Sequence, residues 1–183
     1  MTIDDKTIIQ AIRGRTEEGF KLLMQKYKQP IYWHIRRLVV SHDDAQDATQ
    51  EAFIKIFRSF NQLKNENSFK GWLFRIATNE ALRLIDSRKQ CQVSLEADEN
   101  EANRIMADSY VDFSNLEAVM LQKAILTLPT KQKVAFNLRY YDELRYEDIA
   151  EAMDSTPSAA KINYHLAKKR IIKYMNLNEN NYE

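Results

Sequence analysis

A dense group of positively charged side chains near the C-terminal end of the sequence is suited to binding the phosphates of a nucleic acid. Residues 155–175 contain five Lys or Arg residues and no Asp or Glu, although the formal net charge of the whole chain is only +1. Nucleic-acid binding depends on local charge more than on the total. This segment therefore predicts a helix that binds the DNA backbone.

The basic segment follows a short helix and a turn, which is the order of a helix-turn-helix unit. The apolar side of the short helix is formed by Ile149, Ala150 and Met153. Asp154 suits the turn because Asp tolerates left-handed backbone angles. Thr156 suits the N-cap of the second helix, and Pro157 suits its first position, where a missing N–H costs nothing.

Helical spacing divides the second helix into a buried side and an outward side. The buried side is formed by Ala160, Tyr164, Ala167 and Ile171. The outward side, which we expect in a major groove, is formed by Ser158, Lys161, Ile162, His165, Lys168 and Lys169. A basic helix that is merely solvated remains the alternative, since cations also stabilise helix C-termini.

A second candidate surface lies on a helix that begins after Ser41 and Asp44, which form a capping pair. Its apolar stripe is formed by Ala48, Ala52, Phe53, Ile56, Phe57 and Phe60. Its charged side is formed by Asp44, Asp47, Glu51, Lys55 and Arg58. From the residues alone, this charged side is either a binding surface or an ordinary solvated face.

The remaining pattern is helical as well. Residues 16–38 form two amphipathic stretches, with Pro30 either starting the second or kinking a continuous helix. After a polar loop at 61–68, a helix with Leu73, Ile76, Ala77, Ala81 and Leu84 on one face carries Arg75, Asn79 and Arg83 on the other. We expect Trp72 and Phe74 in the core. Residues 116–128 predict another helix, and Thr130 suits the N-cap of the next.

Composition favours an all-α protein, since three Gly and three Pro are few for a sheet protein. The single cysteine, Cys91, excludes an internal disulfide and a cysteine zinc cluster. His34, His42 and His165 lack ligand spacing, so we predict no metal and no cofactor. With no nucleophile–base pair and no phosphate-binding glycine loop, we predict that the chain is not an enzyme.

An acidic segment with weak periodicity divides the chain into two helical domains. We expect domains at 1–90 and 116–183, joined by a flexible acidic linker at 91–115. The N-terminal sequence MTIDDKTIIQ is acidic where a signal peptide needs basic residues, and no run of eighteen apolar residues occurs. We therefore expect a cytoplasmic protein without membrane insertion.

In order and spacing, the two halves resemble bacterial sigma factors of the extracytoplasmic-function type, which keep sigma regions 2 and 4. The matching segments are DDAQD (43–47), QEAF (50–53), FKGWLFRIATN (69–79), LTLP (126–129), YEDIA (146–150) and AAK (159–161). This resemblance implies an alternative sigma factor that binds core RNA polymerase, directs it to promoters and helps to open the duplex.

The resemblance also assigns roles to residues of this sequence. It implies that the clamp of the largest polymerase subunit is bound by Asp44, Asp47, Gln50, Glu51 and Arg58. It also implies that region 4 contacts the flap of the second largest polymerase subunit. It implies that the minus-ten promoter element is bound by Arg36, Arg37, Asn61, Lys64, Arg75, Asn79 and Arg83. Arg36 and Arg37 either contact upstream duplex or solubilise their helix.

The outward residues of the C-terminal helix, from Ser158 to Lys169, would by the same resemblance read the minus-thirty-five element. An anti-sigma factor is the implied regulator. Asp154, Ile162 and Asn163 depart from the family pattern, so the promoter preference does not transfer. The alternative is a stand-alone helix-turn-helix regulator whose N-terminal half binds a ligand or dimerises.

Overall fold

Eight α-helices make up the part of the chain that the computed structural model describes, residues 3–14, 17–39, 41–92 and 116–179, and no strand occurs there. The first four helices are α1 (Asp5–Arg13), α2 (Glu17–Val39), α3 (His42–Ser59) and α4 (Phe69–Gln92). The short 3₁₀ turns Phe60–Gln62 and Glu66–Ser68 connect α3 to α4. The last four helices are α5 (Leu116–Leu126), α6 (Thr130–Tyr140), α7 (Tyr146–Ala152) and α8 (Pro157–Glu179).

The all-α prediction is confirmed for these residues. Residues 93–115 of the predicted linker lie outside the described residues. Pro30 lies inside one continuous helix, α2, and does not start a second helix. The expectation that Thr130 caps α6 is wrong: Pro129 is the N-cap, and Thr130 is already the first helical residue.

Small residues allow helices α3 and α4 to approach their neighbours closely. Ala45, Ala48 and Ala52 of α3 are at most 2% exposed, as are Ala77 and Ala81 of α4. Because alanine adds only one carbon beyond the backbone, larger side chains on the facing helices can fill the space between them. The buried centre of α3 is therefore a row of small residues, and the larger aromatic residues lie at its edges.

Helix α1, which the sequence pattern does not predict, packs its three buried isoleucines against α2. The approach is close enough to need glycine, since a Cβ on Gly19 would lie 2.5 Å from the backbone nitrogen of Ile12. The Tyr27 hydroxyl donates a hydrogen bond to Asp5 Oδ1 (2.7 Å). Burial and this bond raise the pKa of Tyr27 above its ordinary value.

The helix-turn-helix prediction is confirmed by the geometry of α7, the turn and α8. Asp154 has a φ of 49°, in the left-handed region. Thr156 Oγ1 accepts a hydrogen bond from the backbone nitrogen of Ala159 (3.1 Å), and α8 begins at Pro157. Ala160 on the inner side is fully buried. The capped turn thus sets the direction in which α8 leaves α7.

The two halves of the chain pack against each other, α7 on α4 and α6 on α2. Leu138, Leu144 and Ile149 are fully buried and belong to the same apolar cluster as Leu73 and Ile56 of the first half. A separate smaller cluster lies within the second half and is formed by Ala124, Ile125, Leu128, Phe136, Ala167 and Ile171. The larger core is therefore shared by both halves.

Replacing the cap residue, Thr156→Ala, should lower the free energy of unfolding by about 1 kcal/mol, because a helix N–H loses its acceptor. Ser155→Ala is the matched control, since this exposed residue directly precedes Thr156, whose side chain accepts the capping hydrogen bond. Urea unfolding followed by circular dichroism measures both. Equal losses in the two variants would contradict the assignment of the cap.

Candidate functional site

The outer face of α8 consists of Ser158, Lys161, Ile162, His165, Lys168 and Lys169. All six side chains predicted to point outward are exposed. Ile162 is 59% exposed, although apolar side chains of this size are usually buried. A basic helix face with an accessible isoleucine can contact phosphates through its cations and thymine methyl groups through the apolar side chain.

Aromatic residues support α8 from its inner side. The Tyr164 ring stacks on the Phe136 ring of α6, with centroids 5.9 Å apart. Lys168 Nζ lies 5.8 Å from the centroid of Tyr164, so this lysine extends along an aromatic surface. Leu166, which the sequence reasoning did not assign to either face, is 44% exposed. The outer face is therefore held on a packed aromatic base, and Leu166 adds a second accessible apolar group beside it.

The outer face of α3 consists of Asp47, Gln50, Glu51, Ile54, Phe57 and Arg58, all of them exposed. Ile54 is 41% exposed and Phe57 is 60% exposed, so the centre of this face is apolar and its edge is charged. That arrangement, an apolar centre with a polar rim, is typical of protein–protein interfaces. The face is accessible along about three turns of the helix.

The placement of Phe57 in the apolar core stripe is wrong. The buried side of α3 centres on Ala45, Ala48, Ala52 and Ile56, and Phe57 lies one helical step, about 100°, away from Ile56. Its ring instead contacts the ring of Phe20, with centroids 4.4 Å apart. Ile54 and Phe57 are thus the candidate binding residues that the sequence reasoning missed. The sequence feature that could have identified them is an apolar stripe on α3 that is wider than one side of a helix can bury.

Asp44 differs from the other residues predicted to bind polymerase. Its side chain is 15% exposed and forms an ion pair with Arg88 of α4. Its backbone nitrogen donates to Ser41 Oγ (3.4 Å), which confirms Ser41 as the N-cap of α3. The Asp44 side chain therefore joins α3 to α4, while the exposed acids of the outer face follow it along the helix.

The residues predicted to bind the minus-ten element fall into three groups in this structure. Four are exposed around the turn before α4 and along α4, namely Asn61, Lys64, Asn79 and Arg83. Arg83 Nη2 pairs with Glu80 Oε2 at 3.0 Å, and Glu80 itself is 2% exposed. Arg37 and Arg75 instead contact acids of the second half, Arg37 Nη1 at 3.2 Å from Asp142 Oδ1 and Arg75 Nη1 at 3.3 Å from Glu151 Oε1. Arg36 is 3% exposed.

The aromatic residues of α4 support these positions from beneath. Phe74 is 1% exposed, which confirms its prediction as a core residue. Trp72 is partly buried, and its ring stacks against that of Phe69, with centroids 6.4 Å apart. Both rings therefore hold α4 against the core.

The described residues contain no group of three or more His, Cys, Asp or Glu side chains placed to hold a metal ion. Within the same residues, none of the helices combines the length and the apolar character required to cross a membrane.

Comparison with known proteins matches both halves to one kind of protein. Residues 23–90 match the family model of sigma-70 region 2, and residues 118–171 match that of sigma-70 region 4. The chain is 28% identical over 178 residues to the ECF RNA polymerase sigma-E factor of Escherichia coli K12, covering 92% of this chain and 93% of that protein. It is 29% identical over 178 residues to the RNA polymerase sigma-H factor of Pseudomonas aeruginosa, covering 92% of each.

Solved structures show the same fold. One is the sigma factor RpoE in complex with the anti-sigma factor NepR from Bartonella quintana, with a TM-score of 0.66, 21% identity and coverage of 86% of this chain and 96% of that one. Another is CnrH in complex with the cytosolic domain of CnrY, with a TM-score of 0.72, 14% identity and coverage of 94% and 97%.

The two sides of α3 should respond differently to truncation. Ile56→Ala should lower the free energy of unfolding by about 2–5 kcal/mol, because it leaves a cavity in the core. Phe57→Ser should lower the free energy of unfolding by about 1 kcal/mol or less, because only the contact with the Phe20 ring is lost. Urea unfolding of both variants measures the difference. A Phe57→Ser loss as large as that of Ile56→Ala would show that Phe57 is a core residue.

Proposed function

Because this chain belongs to the sigma-70 family of RNA polymerase sigma factors, in its extracytoplasmic-function type, we propose that separate helix faces perform the steps of promoter-specific transcription initiation. The outer face of α3 binds core polymerase, the region around α4 binds the minus-ten element, and the outer face of α8 binds the minus-thirty-five element. The observation that carries this proposal is the exposure of both outer faces on helices whose opposite sides are buried.

The outer face of α3 has the chemistry of a docking surface for the clamp of the largest polymerase subunit. Phe57 and Ile54 supply apolar area that gains stability when a partner removes it from water. Asp47 and Glu51 beside them attract a basic partner surface and set its orientation. Binding energy then concentrates on the apolar centre, and the carboxylates contribute mainly to association rate and specificity.

The outer face of α8 reads duplex DNA as a recognition helix in the major groove. Lys161 lies in the first turns, close to base edges, and Lys168 and Lys169 follow toward the phosphates. Ile162 between them is placed to pack against a thymine methyl group. The helix-turn-helix unit thereby combines a sequence-independent electrostatic contribution with contacts that depend on the bases.

The minus-ten element is opened without nucleotide hydrolysis. Asn61, Lys64, Asn79 and Arg83 are exposed where a single strand can pass, and their donors can hold unstacked bases and phosphates. The energy for melting comes from trapping these bases and from contacts with polymerase. The chain acts as a transcription factor and catalyses no reaction itself, and it works in the cytoplasm, where core polymerase is found.

The domain assignment follows from these roles. Residues 1–90 form the unit for polymerase and the minus-ten element, residues 91–115 form the linker, and residues 116–183 form the unit for the minus-thirty-five element and the polymerase flap. One solved structure of similar fold is a sigma factor in complex with the anti-sigma factor NepR, which supports an anti-sigma factor as the regulator of this chain as well.

Reversing charge on the outer face of α3, Asp47→Lys with Glu51→Lys, should weaken binding to core polymerase at least tenfold, because two attractive contacts become repulsive. Glu18→Lys, an exposed acid on α2, is the matched control and should bind as the wild type does. Fluorescence anisotropy of the labelled chain with core polymerase measures both. Unchanged affinity in the double variant would exclude this face as the docking surface.

Neutralising the outer face of α8, Lys161→Ala with Lys169→Ala, should weaken binding to the promoter duplex and make it less sensitive to salt. Each lost phosphate contact should make the negative slope of log affinity against log salt shallower by about 1. Titrations at several salt concentrations measure the slope. Lys131→Ala, which removes an exposed lysine from α6, should leave it unchanged. An unchanged slope in the double variant would contradict the assignment of this face to DNA.

A further inference from the structure

A cavity of about 520 Å³ lies beside α2 and opens to the surface. Its walls are formed by α1, α2, the start of α4 and the turn between α6 and α7. Sites for small molecules in proteins have volumes of about 300–1,000 Å³, so this cavity has the size of a ligand site. The side chains that line it indicate which class of ligand it can hold.

One face of α2 forms the longest wall of the cavity. Lys26, Pro30, Trp33 and Arg37 follow one another at steps of four, three and four residues, so they share one side of the helix. The first and last of them are about 16 Å apart along the helix axis. A cation therefore lies at each end of this wall, and an aromatic side chain lies between them.

The two carboxylates that line the cavity are each paired with a cation of the same cavity. Asp5 Oδ1 accepts a hydrogen bond from Lys26 Nζ at 2.6 Å. Asp142 Oδ1 lies 3.2 Å from Arg37 Nη1. Because their charges are balanced at short range, these acids oppose the entry of an anion only weakly.

Lys70, in the first turn of α4, is the third cation of the cavity. Its Nζ donates to the backbone oxygen of Asp142 at 3.4 Å, and no carboxylate of the described residues forms an ion pair with it. An ammonium has three donors, so most of its hydrogen-bonding capacity remains for an external anion. Lys70 and Arg37 both contact Asp142, and the two cations therefore lie at the same end of the cavity.

Aromatic rings lie beside these cations. The Arg37 guanidinium carbon is 4.2 Å from the centroid of the Tyr141 ring, which holds the arginine in place. Trp33 lies one helical turn before Arg37, is partly buried, and contacts the Tyr32 ring edge-on with centroids 5.2 Å apart. An indole beside a cationic group suits a ligand with a flat ring and a negative charge, since bases stack on aromatic side chains.

We propose that this cavity binds a nucleotide, with its phosphates at Lys70 and Arg37 and its base against Trp33. Lysine and arginine form charge-assisted hydrogen bonds with phosphate oxygens, and the indole supplies a stacking surface. Inorganic phosphate would leave the aromatic wall unused, and an uncharged aromatic ligand would leave Lys70 unpaired. The proposal goes beyond the proposed function and does not depend on it.

Isothermal titration of the full-length chain tests the site directly. ADP and GDP are titrated separately at low salt, and inorganic pyrophosphate is titrated as the ligand without a base. At least one nucleotide should bind with a Kd of about 100 μM or tighter. Its affinity should exceed that of pyrophosphate by at least about tenfold, because stacking of the base contributes to binding only in the nucleotide.

Two variants separate the phosphate contact from the base contact. Lys70→Gln should weaken the binding of nucleotide and of pyrophosphate by about tenfold each, because a charged hydrogen bond is lost. Trp33→Leu should weaken nucleotide binding at least about fivefold and leave pyrophosphate binding unchanged. Lys28→Gln, which changes an exposed lysine of α2 outside the cavity, is the matched control and should bind as the wild type does.

Thermal unfolding provides a second measurement on the same proteins. Nucleotide at ten times its Kd should raise the midpoint of the wild type by about 3–5 °C, since a ligand that binds only the folded chain stabilises it. Lys70→Gln at the same nucleotide concentration should lose most of this increase. Urea unfolding shows whether each variant is folded, and Lys70→Gln decides the test if Trp33→Leu is not.

Three results would overturn the proposal. Failure of both nucleotides to bind would exclude the site. Equal nucleotide affinity in the wild type and in Lys70→Gln would exclude phosphate binding at this end of the cavity. Equal affinity of the wild type for nucleotide and pyrophosphate would exclude recognition of a base by Trp33. Promoter-dependent transcription tests the proposed function separately from all three.

Discussion

The packing of apolar side chains from the second half into the core of the first half determines how the two halves of this molecule are arranged. Leu138, Leu144 and Ile149 are fully buried in that shared core, and burial of apolar area is the main favourable contribution to folding. With these side chains in place, α6 packs on α2 and α7 packs on α4. Asp142 lies at the same contact, and its carboxylate is paired with His34 and Arg37 of α2, because a charge removed from water is costly unless partners satisfy it.

This arrangement covers some of the surfaces proposed for function and leaves others exposed. The outer face of α3 is exposed, as is the outer face of α8. The arginines Arg37 and Arg75 are paired with acids of the second half instead. The exposed faces are those proposed to bind core polymerase and the minus-thirty-five element, whereas the paired arginines belong to the surface proposed for the minus-ten element.

Features encoded by neighbouring residues were predictable from the sequence. The capped turn at Asp154, Thr156 and Pro157, and the two sides of α8, depend on local conformational preferences and helical spacing alone. The charged residues on the exposed side of α3 were predicted correctly, whereas Phe57 was placed in the core. Periodicity gives the direction of an apolar stripe on a helix, but it does not give how wide a part of that stripe the neighbouring helices cover. The sigma-70 match over both halves also removes the reason for considering a stand-alone regulator.

Features encoded by distant residues were not predictable. His34 and Asp142 are separated by 108 positions, and no pattern around either residue indicates the other. Arg36 has the sequence context of a surface arginine and is nevertheless buried, because the helices packed around it are brought together only by the tertiary fold. Gly71, at which a Cβ would lie 2.8 Å from the backbone oxygen of Asp148, depends in the same way on a helix that is distant in sequence.

The most direct test is transcription in vitro by core polymerase with this chain, on a promoter mapped from the transcript starts of cells that overproduce it. The account predicts promoter-dependent transcript with the wild type, and at least about tenfold less at limiting chain concentration when Phe57→Ser removes the exposed apolar centre of α3. Lys131→Ala, an exposed change on α6, should give as much transcript as the wild type. Equal transcript from the wild type and from Phe57→Ser would contradict the account.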